Sequence, residues 1–274
     1  MAIYIGTAGW NIPGAQKDRF AASGSQLERY ASRLTATEIN SPFYRPHAFA
    51  IYERWAAAVS PTFRFAVKMP KLISHERLLT RARDPLTRFL GETAGLGHKR
   101  GPLLLQLPPS CAFDARRASR FFDLFRRMHE GDVVCEPRHA TWATLQATRV
   151  LEKFHIARVA ADPARADGLQ DPGGWSGVVY FRLHGSPHTY FSSYSTERLE
   201  ALALTIKKQS QPADAWAIFD NTASGAAASN ALDLINLQNG YPRNRGRMAD
   251  EAHARTVRGA AKARDRKAPH KFVE

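Results

Sequence analysis

Two cysteines in 274 residues, Cys111 and Cys135, are too few for a disulfide scaffold or a thiolate metal set. No stretch reaches the roughly 20 apolar residues that cross a bilayer. Strand-like sequence begins at Ile3 with no basic segment before it, so no secretory leader is read here. Together these absences lead us to expect a soluble, cytoplasmic protein with no membrane partner. No G-x-G-x-x-G follows a strand-like run, which removes the usual dinucleotide cradle. No G-x-S-x-G elbow is present, so Ser186, close to His184, is a weak nucleophile candidate. No internal repeat is visible.

What is present is a basic chain of ordinary apolar content, with a net charge of +14 and 44% hydrophobic residues. From Arg243 onward, ten basic residues face four acidic ones while apolar residues thin out. We therefore divide the chain into a single domain over 1–240 and a basic, flexible C-terminal tail over 241–274. Charge of this kind favours contact with phosphate without specifying an activity.

Short β-rich runs alternate with helical patterns along the domain. Strands are expected at 2–10, where the run ends in a glycine-broken turn, and at 37–40, 63–68, 101–107, 132–136, 156–162, 178–185 and 215–221. Ser25 and Glu28 have capping-box spacing at the start of one helix. Asp84-Pro85, Asp114 and Thr141 read as the starts of three others. Eight strand–helix units over some 240 residues predict an α/β fold of the TIM-like (β/α)8 barrel type. A doubly wound open sheet is the alternative, disfavoured because no switch point interrupts the regular alternation.

In such a barrel, chemistry sits at the C-terminal ends of the strands. Every expected strand ends in polar residues: Thr7; Glu38 and Asn40; Lys68; Gln106; Glu136 and Arg138; Asp162; Arg182 and His184; Asp220 and Asn221. Period two puts Glu38 with Asn40, Glu136 with Arg138, and Arg182 with His184 on shared faces. Two readings stay open. The residues form an ion-pair plug, with Glu38, Glu136 and Asp162 balancing Lys68, Arg138 and Arg182. Alternatively they form a site in which Glu136, Asp162, His184 and Lys68 are catalytic. Thr7, Trp10, Glu38, Asn40, Tyr44, Gln106, Arg138, His139, Arg182, Tyr194 and Asn221 would then bind substrate.

Glu136, His139, Asp162, His184 and His188 offer metal-binding atoms, but no ligand spacing ties them together. No cofactor is required by the sequence, and a divalent metal is not favoured. The eleven residues from Gly185 to Ser195 exceed the usual link length of about 2–6 and carry Tyr190, Phe191 and Tyr194, which could fold over the mouth.

Six motifs then resemble one family. They are Ile5-Gly6-Thr7-Ala8-Gly9-Trp10, Glu38-Ile39-Asn40-Ser41-Pro42-Phe43-Tyr44, Phe63-Arg64-Phe65-Ala66-Val67-Lys68, Leu105-Gln106-Leu107-Pro108-Pro109, Glu136-Pro137-Arg138-His139 and Phe181-Arg182-Leu183-His184-Gly185. In this order they are similar to the YecE-like family, domain of unknown function 72. The resemblance spans 3 to about 237, leaving the tail beyond it, and implies a TIM-barrel-like fold without implying an activity. Two places depart from the family pattern: Asn11-Ile12-Pro13-Gly14 replaces an aromatic-rich segment, and Asp220-Asn221 replaces an asparagine pair. We expect an enzyme of hydrolase or isomerase type acting on a small polar, anionic or sugar-containing ligand. Nucleic-acid binding or metal-assisted repair chemistry, with the tail contributing, is the second expectation.

Overall fold

The computed structural model describes residues 1–210 and 213–240, and the expected tail lies outside them. Ten strand segments are described: β1 (Ile3–Ala8), β2 (Ala36–Ile39), β3 (Arg64–Lys68), β4 (Arg100–Gln106), β5 (Val133–Glu136), β6 (Ile156–Arg158), β7 (Ala160–Asp162), β8 (Gly173–Gly174), β9 (Val178–Leu183) and β10 (Asp214–Phe219). Apart from β8, every pairing is parallel, in the order β9–β10–β1–β2–β3–β4–β5–β6.

The sixth stave closes the ring. Its first half, β6, pairs with β5, and Val159 still donates to the Cys135 carbonyl at 2.9 Å. From Ala160 onward the same stave, now β7, pairs with β9. The two-residue β8 runs antiparallel to β6. Eight staves therefore form the barrel expected from the sequence, with one split at Val159.

Among the described residues seven α-helices cover the outside: α1 (Gln26–Ala31), α2 (Phe49–Ala57), α3 (Arg83–Thr93), α4 (Ala115–Arg126), α5 (Leu145–Lys153), α6 (Thr196–Gln209) and α7 (Ala226–Gln238). The capping box forms as spaced, with Ser25 Oγ accepting from Glu28 N and Glu28 Oε2 accepting from Ser25 N. Asp114 caps α4 through the Arg117 amide. Two expected starts move. Helix α3 begins at Arg83, which puts Pro85 inside the first turn where its missing N–H costs nothing. Thr144 caps α5, while the Thr141 hydroxyl accepts from Phe113 N.

The large core lies between staves and helices. On α4, Phe121, Phe122 and Phe125 face inward, each side chain's burial worth roughly 1.5–3 kcal/mol. The barrel interior is a separate, smaller cluster. Ala36, Ala66, Leu104, Val134, Ala157, Val159, Val178 and Ile218 line it, around Tyr180 and Trp216, whose rings stack 6.0 Å apart. Gly101 makes room for Trp216, since a Cβ there would stand 2.6 Å from the indole. Strand alternation then identifies the inward positions above this layer: Glu38, Lys68, Gln106, Glu136, Arg182 and His184.

Candidate functional site

Arg182 is the centre of the mouth and has no exposed surface. Its Nε donates to Glu38 Oε2 at 3.0 Å and its Nη2 to Glu38 Oε1 at 2.6 Å, a bidentate pair. Nη1 reaches Glu136 Oε2 at 2.7 Å, and Nη2 also reaches Asp220 Oδ2 at 3.1 Å. Tyr180 adds a hydroxyl to Glu38 at 2.8 Å. Burial alone would weaken the charge of Arg182, but the three carboxylates hold its pKa well above the ordinary value.

Glu136 is saturated. One oxygen accepts from Arg182 and from Gln106 Nε2, at 2.7 and 2.9 Å; the other accepts from Arg138 Nε at 3.2 Å and His184 Nε2 at 3.1 Å. Gln106 and Glu136 are register partners on β4 and β5, which explains their contact. Burial opposes ionisation of Glu136, yet Arg182 and His184 hold its carboxyl far below the usual range.

His184 places Nδ1 3.0 Å from Asp220 and Nε2 3.1 Å from Glu136. Only the imidazolium can donate to both carboxylates at once. Despite burial, Glu136 and Asp220 raise its pKa. Asp220 is itself held low by Arg182 and His184 against its burial, and its Oδ1 takes no hydrogen bond among the described residues.

Lys68 differs from all of these. It is 9% exposed, and among the described residues its Nζ forms no hydrogen bond or salt bridge. The ammonium instead lies 4.1 Å from the centroid of the Phe43 ring. Burial first, and Arg182 second, push its pKa down to about 8. Asn40 stands one position beyond the Ile39–Val67 register pair, opposite Lys68 on the neighbouring stave. Its Oδ1 is buried with no partner.

Three carboxylates therefore face Arg182, Arg138 and the His184 imidazolium, and the network is neutral before Lys68 is counted. Protonated Lys68 is a cation in excess. Five of the six carboxylate oxygens of Glu38, Glu136 and Asp220 already accept hydrogen bonds, Asp220 Oδ1 being the exception among the described residues, and Arg182 lies between them. The donor set thus fits a guanidinium better than a divalent ion.

The family profile described as "Protein of unknown function DUF72" matches residues 4–253. The chain belongs to the DUF72 family. The profile reaches past 237 into the stretch read as a separate tail, so part of that stretch lies within the DUF72 match. The UPF0759 protein YecE of Escherichia coli (strain K12) is 33% identical over 107 residues, 39% of this chain and 38% of that protein's length. The UPF0759 protein YunF of Bacillus subtilis (strain 168) is 23% identical over 272 residues, 86% of this chain and 94% of its own. Among solved structures, a DUF72 protein of Enterococcus faecalis V583 superposes with a TM-score of 0.75 at 22% identity, covering 86% of this chain and 95% of the other. That likeness carries the DUF72 fold.

Within this DUF72 barrel the expected site residues separate. Glu38, Gln106, Glu136, Arg138, Arg182, His184, Asn40 and Lys68 converge on the mouth. Thr7 does not: its hydroxyl hydrogen-bonds the Tyr30 hydroxyl at 2.9 Å, on the helix side of β1. Asp162 also faces outward, paired with Arg198 of α6 at 2.9 Å, because inward positions on its stave are odd-numbered. Asp220 takes the place in the network expected of Asp162. Trp10 packs edge-on against Trp55 of α2, and His139 accepts from the Thr141 amide as a cap. Tyr44 is 73% exposed at the rim.

Tyr194 and Asn221 hold the 185–195 segment in place. The Tyr194 hydroxyl accepts from Gly185 N and donates to the Asp162 carbonyl, and Asn221 Nδ2 donates to Ser192 O. Two roles expected from sequence therefore fail on geometry. Arg182 is too deeply buried to hold substrate, and Glu136 has no lone pair left to act as acid or base.

Sequence reasoning missed His75 and the place of Tyr190 beside Arg138 and His184. His75 lies on a single π-helical turn, Leu72–Glu76, edge-on to Phe43 at 4.9 Å. Burial, then Lys68 and Arg138, lower its pKa. Tyr190 stands edge-on to His184 at 5.8 Å and lies near enough to Arg138 to help raise its pKa, behind Glu136. The lone histidine in a loop carried no periodic signal.

Proposed function

We propose that this DUF72 barrel is an enzyme that binds a small anionic, polar molecule at its C-terminal mouth, with Lys68 as the reacting amine. The observation that carries this reading is the unmatched charge. A neutral buried network surrounds one ammonium that has an aromatic face and, among the described residues, no salt-bridge partner, although Glu38, Glu136 and Asp220 favour its charge from a distance. An anionic ligand would supply that partner, and Arg138, whose side chain keeps 14% exposure, would share it. The unpartnered Asn40 Oδ1 would accept a donor from the same molecule. Asp220 Oδ1 is the carboxylate atom left for proton transfer.

An amine titrating near 8 has a neutral fraction at physiological pH, which suits a lysine base or nucleophile. The ion network would serve to position it and hold its charge state. The small-ligand class includes sugar phosphates and sugar acids, whose anionic groups meet Lys68 and Arg138 while hydroxyls meet Asn40 and Asp220.

Competitive amine acylation read by peptide mass spectrometry tests this reading. Lys68 should titrate with a midpoint near 8, below the other lysines, and a panel of sugar phosphates and carboxylates should contain members that protect it. The same members should raise the melting temperature of the parent and lose that effect in Lys68→Met and Arg138→Gln. Ligands that stabilise Lys68→Met as strongly as the parent would overturn the assignment.

A further inference from the structure

A second cleft, of about 530 Å³, lies between the 79–83 segment and the first turns of α4. Five arginines line it: Arg81, Arg83, Arg116, Arg117 and Arg120. Arg81, Arg83, Arg116 and Arg120 are exposed and form no salt bridge among the described residues. The lining carboxylate, Asp114, accepts from the Arg117 amide at 2.8 Å as the helix cap.

Two features set this cluster apart from an ordinary solvated face. The first is its place on α4. Cations in the N-terminal turns of a helix oppose the macrodipole by about 0.3–1 kcal/mol each, yet Arg116, Arg117 and Arg120 occupy them and no acidic residue shares the first turn. The second is the backbone opposite. Leu78, Leu79 and Arg81 adopt positive φ of 44°, 69° and 47° without being glycine, a conformation costing on the order of 1–2 kcal/mol per residue. Leu79 is buried by that turn, and Arg77 Nη1 fastens it through the Arg81 carbonyl at 2.6 Å. The strained path turns Arg81 toward α4.

The segment follows β3 and the cap of α4 follows β4, so the cleft lies on the barrel face that carries Lys68. We propose that this arginine cleft binds the sugar–phosphate backbone of a nucleic-acid strand without reading its sequence. Four unpaired guanidiniums exceed what one phosphate needs and suit successive phosphates along a strand. No exposed aromatic lines the cleft, so base stacking plays no part in the binding. The inference is independent of the Lys68 reading, since none of these arginines belongs to the mouth network.

Fluorescence anisotropy of the full chain with a labelled 20-nucleotide single strand tests it. The quadruple variant R81Q/R83Q/R116Q/R120Q should bind at least about tenfold more weakly. Its plot of log affinity against log salt should flatten by about 3, at ~0.7 for each phosphate no longer neutralised. A charge-matched control, K17Q/R149Q/K207Q/K208Q, changes exposed residues elsewhere and should weaken binding far less. Equal weakening in both variants would reduce the effect to net charge and overturn the site. So would unchanged affinity in the cleft variant, which would leave binding to basic residues elsewhere.

Discussion

The two ends of the barrel use their buried cations differently. At the N-terminal end, Lys99 donates to the Ala56 and Val59 carbonyls at 2.7 and 2.6 Å. Arg126 clamps the carbonyls of Phe154, His155 and Gly131 at 2.6–2.7 Å. These groups tie main-chain ends together through carbonyl acceptors. At the C-terminal end Arg182 meets carboxylates rather than carbonyls, and Lys68 meets neither. Lys68 and Lys99 are similarly buried, at 9% and 7% exposure, so burial alone does not distinguish a structural lysine from a candidate reactive one. The number of acceptors does.

The largest expected effect breaks the top of the barrel. Arg182→Met leaves Glu38, Glu136 and Asp220 facing one another without their shared cation, and should cost about 3–5 kcal/mol in urea unfolding at neutral pH. The loss should shrink as acid protonates Glu136 and Asp220, whose carboxyls are held low only by the cations around them. A variant as stable as the parent would mean that the network does not order the mouth.

Next comes the lysine pair. Lys99→Met strands two carbonyls and should cost about 1–3 kcal/mol. Lys68→Met removes a desolvated charge with no hydrogen bond, and should leave stability equal to the parent or above it. The sign follows from proton binding. Folded Lys68 titrates near 8 and the unfolded side chain near 10.5, so between these values the unfolded chain holds more protons and Lys68's contribution to stability rises with pH. The advantage of Lys68→Met should therefore be largest below pH 8 and fade toward 10.5, which chemical unfolding at a series of pH values would show. Equal destabilisation by the two methionine variants would erase the distinction between these lysines.

Much of this architecture was legible in the sequence because strand and helix periods are local. Alternation exposed the eight staves, and strand ends exposed Glu38, Lys68, Glu136, Arg182 and His184. Which face of each strand points inward is not local. Sequence alone therefore groups Thr7 and Asp162 with a network they do not join and gives Asp220 no particular role in it. The stave break at Val159 depends on which neighbour each half can pair with, a closure property that no window of residues carries. Saturation was also invisible: Glu136 looks like a catalytic acid in sequence and becomes a fixed counter-charge only when four donors surround it. His75 enters through a π-helical turn, a local irregularity without a periodic signature.

The smallest expected effect tests the open side of the mouth. Asn40 precedes the short 3-10 turn Ser41–Phe43 yet makes no side-chain capping bond, and its buried Oδ1 has no partner. A group placed to stabilise the fold would be satisfied; an acceptor left bare already carries its desolvation cost. Removing it in Asn40→Ala should therefore change unfolding stability by no more than about 0.5 kcal/mol. The same variant should weaken the thermal shift given by whichever anion protects Lys68, because the ligand loses its acceptor. A destabilisation above about 1 kcal/mol with ligand response intact would assign Asn40 to the scaffold. The boundary between the saturated and unsaturated parts of the mouth would then lie between Asn40 and Lys68, on adjacent staves.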